Sequence, residues 1–332
     1  MTWPELDWTS LNRHREQFLG GAACDGPYWT SETDLASYDL TFGERIGWKL
    51  DAVIDELRIR GWKPSGGSVL DWGCGSGIAG RRVISRFGQR QFESLSVWDH
   101  SPIAVAFARD RAATEFPGLS ITAATVGYVR GDEPIGLLLI SHVLNELQPT
   151  ALEEIRSLVA RSRAVIWTEP GSRDTSRMLG SLRDEFAGQF HVVAPCTHAG
   201  PCPILEPGNE RHWCHHFASP PSGIFADSNW VKFGHRAGID LRSLPYSFMA
   251  LDRDWRGDQG GLSRVIGRPE HFKPYVRLLS CDGDGLAELM VMKRDNRELC
   301  KELEKSKLPL VYKWEREGPR IQVGTYPPPV VS

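Results

Sequence analysis

No apolar run in this sequence approaches the 18 or so residues that a membrane-spanning helix needs, so no membrane contact is expected. The opening residues, Met1-Thr2-Trp3-Pro4-Glu5-Leu6-Asp7, hold neither a basic stretch nor an apolar one. That argues against a signal peptide and for the cytoplasm. There is no large excess of either charge, since 39 Lys and Arg against 42 Asp and Glu leave a formal charge of −3. The chain as a whole is therefore not an electrostatic glue for nucleic acid, and any such contact must be local. Internal repeats and low-complexity blocks are absent. An even set of cysteines is missing too: Cys24, Cys74, Cys196, Cys202, Cys214, Cys281 and Cys300 make seven. An odd number in a chain of this kind is no disulfide framework, and clustering among them points to metal or redox chemistry.

What is present is an ordinary globular composition, with 41% hydrophobic and 24% charged residues over 332 positions. That is enough to bury a substantial core. Residues 34–60 read as one helix, with Leu35, Tyr38 and Phe42 opening an apolar stripe that Ile46, Leu50, Val53, Ile54 and Leu57 continue. Gly61 ends it, and a Pro-Ser-Gly-Gly loop follows at Pro64. Strands and helices then alternate. Strands are expected at Ser68–Asp71, Ser94–Trp98, Leu119–Ala123, Ile135–Ile140 and Ala164–Trp167, and helices at Ile78–Phe87, Ile103–Ala113 and Ala151–Ala160. Ile135–Ile140 has no polar side chain, as befits a strand buried on both faces. The pattern implies an α/β fold with a mostly parallel, doubly wound sheet.

Five segments follow from this reading. Residues 1–66 form an N-terminal helical extension, and 67–186 the Rossmann-like core. Residues 187–235, rich in Pro, Gly, His and Cys, read as an insertion organised by something other than an apolar core. Residues 236–294 close the core with strands at Leu244–Leu251 and Leu286–Lys293. Residues 295–332 form a charged tail that ends in a frayed Tyr326-Pro-Pro-Pro-Val-Val-Ser.

Val69-Leu70-Asp71-Trp72-Gly73-Cys74-Gly75-Ser76-Gly77 sits at a strand-to-helix junction. Glycines there permit a tight turn and close approach of a ligand to backbone, and the helix start offers free N–H groups. A dinucleotide site would want G-x-G-x-x-G, and this loop is one residue short of that. Asp71 before the first glycine would repel a pyrophosphate but suits a cationic ligand. The loop resembles the first motif of class I S-adenosylmethionine (SAM) methyltransferases. That resemblance implies that Asp71, Gly73, Gly75 and Gly77 cradle the amino-acid end of SAM, and that Asp99, at the end of the next strand, accepts from its ribose hydroxyls. The bland alternative is a tight turn at Gly73–Gly77 and a helix cap at Asp99.

After the fourth strand, Ser141-His142-Val143-Leu144-Asn145-Glu146-Leu147 would border the same pocket, but it lacks the Asn/Asp-Pro-Pro-aromatic motif of many amino-methylating enzymes. His142 is a base or, more simply, a core or rim histidine. Asn145 and Glu146 are candidate caps for the helix opening near Pro149. Glu169 is a ligand-edge acid or a solvated loop acid. No catalytic base is assigned, because methyl transfer depends on in-line positioning more than on a strong base.

Cys196, Cys202 and Cys214 sit among Pro, Gly and His, where buried free cysteines are not expected. Thiolates bind soft or borderline metals, and four complete a tetrahedral zinc site or an iron–sulfur cluster. Cys281, in a turn before the last expected strand, is the candidate fourth ligand, with His198, His212, His215 and His216 as alternatives that suit zinc. The spacing is neither a zinc C-x-x-C pair nor a ferredoxin run, and it lacks the C-x-x-x-C-x-x-C of radical-SAM enzymes.

The glycine loop followed by Val192-Val193-Ala194-Pro195-Cys196, Gly200-Pro201-Cys202-Pro203 and Trp213-Cys214-His215 resembles one family. Its members are the methyltransferase-like proteins of mitochondrial small-ribosomal-subunit assembly and their bacterial relatives. Ile140–Leu147 and Lys273–Cys281 fit its pattern as well. The resemblance implies contact with the small ribosomal subunit or its rRNA, and a [4Fe–4S] cluster on Cys196, Cys202, Cys214 and Cys281, with zinc as the alternative metal. Arg81, Arg82, Arg86, Arg90, Lys301, Lys305, Lys307, Lys313, Arg316 and Arg320 are the candidate RNA contacts, against a plain solvated helix face. Two rival readings remain: a non-catalytic assembly factor on a SAM-binding platform, and a small-molecule methyltransferase with structural zinc. Oligomeric state is not legible.

Overall fold

A computed structural model describes residues 1–20, 29–257, 260–305 and 309–326. Cys24, Lys307 and the segment 327–332 lie outside the described residues. The chain divides into two compact units.

The first unit comprises residues 1–54, 64–168 and 219–244. It opens with α1 (Trp8–Gly20) and α2 (Glu32–Tyr38). The helix expected over 34–60 is in fact α2, one π-helical turn at Asp39–Gly43, and α3 (Glu44–Ile59), run end to end. The wide turn coincides with Thr41, whose hydroxyl donates back to the Ser37 carbonyl at 2.7 Å. Such back-bonding competes with the helical ladder.

The α/β pattern holds closely. The elements are β1 (Ser68–Trp72), α4 (Ile78–Phe87), β2 (Ser94–Trp98), α5 (Pro102–Glu115), β3 (Ser120–Ala123), α6 (Val126–Arg130), β4 (Ile135–Ser141), α7 (Pro149–Ala160) and β5 (Ser162–Pro170). Neighbouring strands pair in parallel in the order β3-β2-β1-β4-β5. Val69, Leu70, Leu137–Ile140 and Val165–Trp167 are fully buried, as the unbroken apolar runs require. The chain winds outward from β1 to β3, then returns to β4 on the other flank of β1. This is the topological switch point at which such sheets bind ligands, beyond the strand C-termini.

Beyond α7 the sequence reading missed α9 (Ser228–Ala237), which lies inside the expected insertion. Asp227 caps it, accepting from the Asn229 and Trp230 amides. Trp230 and Phe233 pack against Trp3, Trp48 and Phe42 with ring centroids 4.8–5.3 Å apart.

The second unit comprises residues 55–63, 169–218 and 245–332. It holds α8 (Arg173–Phe186), β6 (His191–Ala194), β7 (His216–Phe217) and β8 (Pro245–Asp252). β8 is antiparallel to both β6 and β7. The rest differs from the expected closing strands and tail. β9 (Ser263–His271), β10 (Tyr275–Asp282), β11 (Gly285–Met292), β12 (Val311–Glu317) and β13 (Arg320–Thr325) form a closed barrel of their own. α10 (Arg297–Lys305) joins β11 to β12. Leu286–Lys293 thus falls on a barrel strand, and α10, β12 and β13 continue it. Only alternate residues face inward (Tyr312 and Ile321 are 0% exposed), so the charged outer positions read as a solvated tail.

Candidate functional site

The glycine turn has the geometry that its composition calls for. Gly73, Gly75 and Gly77 have φ of 70°, 50° and 76°, in the left-handed region that side-chain-bearing residues avoid. A Cβ on Gly73 would come within 2.7 Å of Val143, and one on Gly77 within 2.8 Å of Ala108. Arg81, buried in the next turn, braces the loop by donating to the Ser76 carbonyl at 2.6 Å and to Asp39 at 2.5 Å.

Asp99 stands at the C-terminal end of β2. Its Oδ2 accepts from the Gly75 amide at 3.0 Å, and its Oδ1 from the Ser101 amide at 2.9 Å. The acid therefore touches the glycine turn directly. Capping of α5 falls instead to Ser101, whose hydroxyl accepts from the Ala104 amide. Desolvation and the two amides pull Asp99 in opposite directions, and desolvation wins, so its pKa is raised. A cavity of about 390 Å³ opens beside it, walled by Trp98, His100, Pro102, Val105 and Ala124 among others. The buried Trp98 Nε1 has no hydrogen-bond partner among the described residues, nor has the buried Asp71 Oδ1. An orphaned donor and an orphaned acceptor flanking a glycine turn and a cavity are what a bound polar ligand would satisfy. Trp98, His100 and Ala124 were not singled out from the sequence. Their only signal is position, just before or after the acid or at the end of β3.

All four expected thiol ligands belong to the second unit, and they converge there. Cys202 and Cys281 share a buried apolar cluster with Ile204 and Ile266, and Cys214 packs against it. The charges of Cys196, Cys202 and Cys214 all reach Cys281. Burial, then the neighbouring Cys196 charge, pushes the Cys202 thiol up to about 12. His216 Nε2 lies 3.6 Å from the Cys214 sulfur. Among the described residues, no group of three His, Cys, Asp or Glu side chains is arranged to hold a metal ion. The expected metal-binding insertion is therefore seen as a thiol cluster only.

Arginines order this segment. Arg60 donates to the carbonyls of Val193, Pro195 and Cys196 at 2.8–3.2 Å. Arg183 donates to those of His198 and Gly200, and Arg177 to those of Ile204, Asn209 and His212. Asp184 accepts from the Cys202 amide at 2.9 Å. Fixed side-chain donors thus satisfy the carbonyls that a strand or helix would otherwise pair.

A family of proteins described as mitochondrial small ribosomal subunit Rsm22 matches residues 48–307 of this sequence. The chain belongs to the Rsm22 family. The matched span takes in the glycine turn, Asp99 and all four clustered cysteines. No curated protein matches. Three solved structures are among those the chain is weakly similar to. Magnesium protoporphyrin IX methyltransferase from Synechocystis, with bound SAH, is 13% identical, with 74% of this chain and 100% of that one covered at TM-score 0.39. An rRNA methylase from Streptococcus thermophilus is 10% identical, with 60% and 94% covered at TM-score 0.36. TrmK from M. capricolum, with S-adenosylhomocysteine, is 11% identical, with 61% and 69% covered at TM-score 0.34. Nothing of their substrates transfers at this level.

The C-terminal edge of β4 departs from expectation in this Rsm22-family chain. His142 is the one non-glycine residue with positive φ, at 59°, among the described residues. Its Nε2 lies 3.1 Å from Lys49 Nζ and its Nδ1 3.1 Å from Ser141 Oγ. An ammonium can only donate, so Nε2 accepts and the ring proton sits on Nδ1. Burial, reinforced by the Lys49 charge, holds its pKa well below the usual histidine range. The lone pair a base would use is therefore already engaged. Asn145 and Glu146 lie in a 3-10 turn and do not cap α7, whose N-cap is Gln148. Glu169 is completely buried within β5, so the solvated-loop alternative is wrong.

Four of the basic candidates are held in ion pairs. Arg81 pairs with Asp39, Arg82 with Glu44 and Asp51, and Arg86 with Asp51. Arg320 pairs with Asp295. Arg90, Lys301, Lys305, Lys313 and Arg316 are exposed.

Asp71 gives the site a pH signature. Burial pushes its carboxyl up to about 7, despite the Gly80 amide donating to Oδ2 at 2.9 Å and the charge of Arg81. A carboxyl whose folded pKa is raised above the unfolded value favours the protonated folded state. Its contribution to stability therefore falls as pH rises from about 4 to about 7. Denaturant midpoints at pH 5 and pH 8 should fall further in the wild-type protein than in Asp71→Asn. Equal falls would mean that Asp71 is already ionised in the fold.

Proposed function

We propose that this Rsm22-family protein binds SAM at the β1–α4 turn, acts as a methyltransferase-like factor in assembly of the small ribosomal subunit, and holds a [4Fe–4S] cluster on Cys196, Cys202, Cys214 and Cys281. The contact between Asp99 and the Gly75 amide carries the SAM reading, because it joins the acid to three left-handed glycines at the switch point. SAM would supply an activated methyl group. The chain's own residues bind and orient it. The glycine turn admits the ligand against backbone. Asp71 Oδ1, just before the loop, has no partner among the described residues and suits the ammonium. The Asp99 carboxylate accepts from ribose hydroxyls, and Trp98 and His100 wall the cavity beside it.

The thiols fit a cluster by donor chemistry. Cys202 and Cys281 lie in one apolar cluster with Ile204 and Ile266, Cys214 packs against it, and Cys196 is near enough for its charge to act on all three. The Arg183 cation lies near enough to respond to the charges of Cys196 and Cys202. Four protein thiolates leave no open coordination position, so the cluster would cross-link the loop rather than react. Anaerobically purified protein should carry about four irons and four acid-labile sulfides, as four-thiolate ligation allows. Cys281→Ser should lose most of both and expose residues 196–214 to protease. Zinc in place of iron, or unchanged metal in the variant, would contradict the assignment.

The alternative reading is a non-catalytic assembly factor on a SAM-binding platform. Tritiated SAM with small-subunit precursors separates the two. Label in RNA or protein supports transfer, whereas co-sedimentation without label supports a platform.

A further inference from the structure

The barrel of the second unit is closed in the order β10-β11-β13-β12-β9. β9–β10, β10–β11, β12–β13 and β12–β9 pair antiparallel, while β11–β13 pairs parallel. Counted from its own first strand the order is 1-2-3-5-4, closing back on 1, with a helix between strands three and four. This is the connectivity of the OB-fold, a barrel that offers the face of its second and third strands and its first loop to oligonucleotides or oligosaccharides. Topology alone assigns no ligand, so the side chains must.

On the face of β10 and β11, Tyr275 pairs with Met292, Arg277 with Met290, Leu279 with Glu288 and Cys281 with Leu286. One end is occupied, since Leu279, Cys281 and Leu286 pack with the thiol cluster. The other end is open and holds the β9–β10 loop. Phe272 is 38% exposed, one of few large apolar side chains so exposed among the described residues. Its ring stacks on Tyr275 with centroids 4.8 Å apart and planes 26° from parallel. The Arg277 guanidinium lies 5.4 Å over the Phe272 ring. A four-residue turn fixes the pair, with the Phe272 amide donating to the Tyr275 carbonyl at 2.9 Å. Lys273 is exposed in that turn, and the Lys293 amide donates to Pro274 at 3.0 Å, which brings a second lysine to the same end. Neither lysine has an ion-pair partner among the described residues. Arg277 is held by Glu270, an exposed pair that a phosphate can displace at little cost.

We propose that this end of the barrel binds single-stranded RNA. Bases stack on the Phe272–Tyr275 pair, while Lys273, Lys293 and Arg277 take the phosphates. An exposed ring stacked on a half-buried one, beside two lysines without ion-pair partners, is how sequence-tolerant single-strand sites are built. The choice of RNA over DNA rests on the small-ribosomal-subunit family, and the site itself is independent of the SAM reading.

The test is fluorescence anisotropy of the full-length protein with a labelled 12-nucleotide RNA of mixed sequence, alongside single-stranded DNA of the same sequence and an RNA duplex. The single strands should bind and the duplex should bind much more weakly. Phe272→Ala and Tyr275→Ala should each weaken binding roughly 10- to 100-fold. Phe272→Leu keeps apolar bulk without a ring, so it should weaken binding too while unfolding as the wild type does. Lys273→Glu with Lys293→Glu should flatten the salt dependence. Arg90→Glu, in the other unit, should change nothing. Wild-type affinity in both Phe272 variants would overturn the proposal, as would tighter binding of duplex or a loss confined to Arg90→Glu. SAM affinity measured on the same samples reports the SAM site separately.

Discussion

Asp99→Ala should weaken SAM binding on the order of 100-fold. A carboxylate accepting from two ribose hydroxyls makes two charge-assisted hydrogen bonds, each worth about 1.5 kcal/mol or more. The alanine also releases the Gly75 and Ser101 amides, so the glycine turn loses the contact that sets its height relative to β2. Calorimetry of wild type and variant reads the effect. An affinity within about 3-fold of wild type would move the ribose away from Asp99. The substitution sits at the edge of a cavity, so the cooperative unfolding of the sheet unit should persist.

Glu56→Gln should destabilise the second unit by about 3–5 kcal/mol, the usual cost of breaking a buried ion pair on one side. Glu56 is 1% exposed and accepts through Oε1 from both Arg60 and Arg264, themselves nearly inaccessible. Burial alone would raise its pKa. The charges of Arg264 and Arg60 outweigh this and hold it below the usual glutamate range. Its stabilisation is therefore present above the unfolded pKa and is lost as pH falls through the lowered folded value. Arg60 also ties down the carbonyls of Val193, Pro195 and Cys196, so the same change should loosen the cysteine segment. Denaturant unfolding, with limited proteolysis at residues 196–214, tests both parts. A loss under about 1 kcal/mol would show that the two arginines do not depend on this carboxylate.

The parts legible in the sequence are those whose physics is local. Ile135–Ile140 announces a doubly buried strand by its lack of polar side chains, and it is β4. Three glycines at alternate positions announce a turn that no side chain tolerates, and all three are left-handed. The convergence of Cys281 on the other thiols was legible only through the family resemblance, because it lies 67 positions beyond Cys214 (281 − 214 = 67).

The parts that failed depend on partners distant in sequence. α9 carries a clear stripe in Trp230, Phe233, Gly234 and Ala237, but it was hidden by a Cys- and Pro-rich neighbourhood. The barrel was split between closing strands and a tail. Its inner face shows one apolar residue in two, and its closure pairs Arg264 and Ser263 of β9 with Val311 and Tyr312 of β12, nearly fifty positions on (311 − 264 = 47; 312 − 263 = 49). Glu56 looked like an ordinary helix acid, since nothing local marks Arg264 as its partner. His142 could be weighed as a base, but its positive φ and its contact with Lys49 come only with the fold.

The central claim is that the β1–α4 turn of this Rsm22-family chain is a working SAM site. Titrating SAM into the anaerobically purified wild-type protein at neutral pH tests it most directly. Saturable one-to-one binding, abolished or strongly weakened in Asp99→Ala, is the predicted result. No heat of binding, from protein whose folding is confirmed by cooperative unfolding, would contradict it.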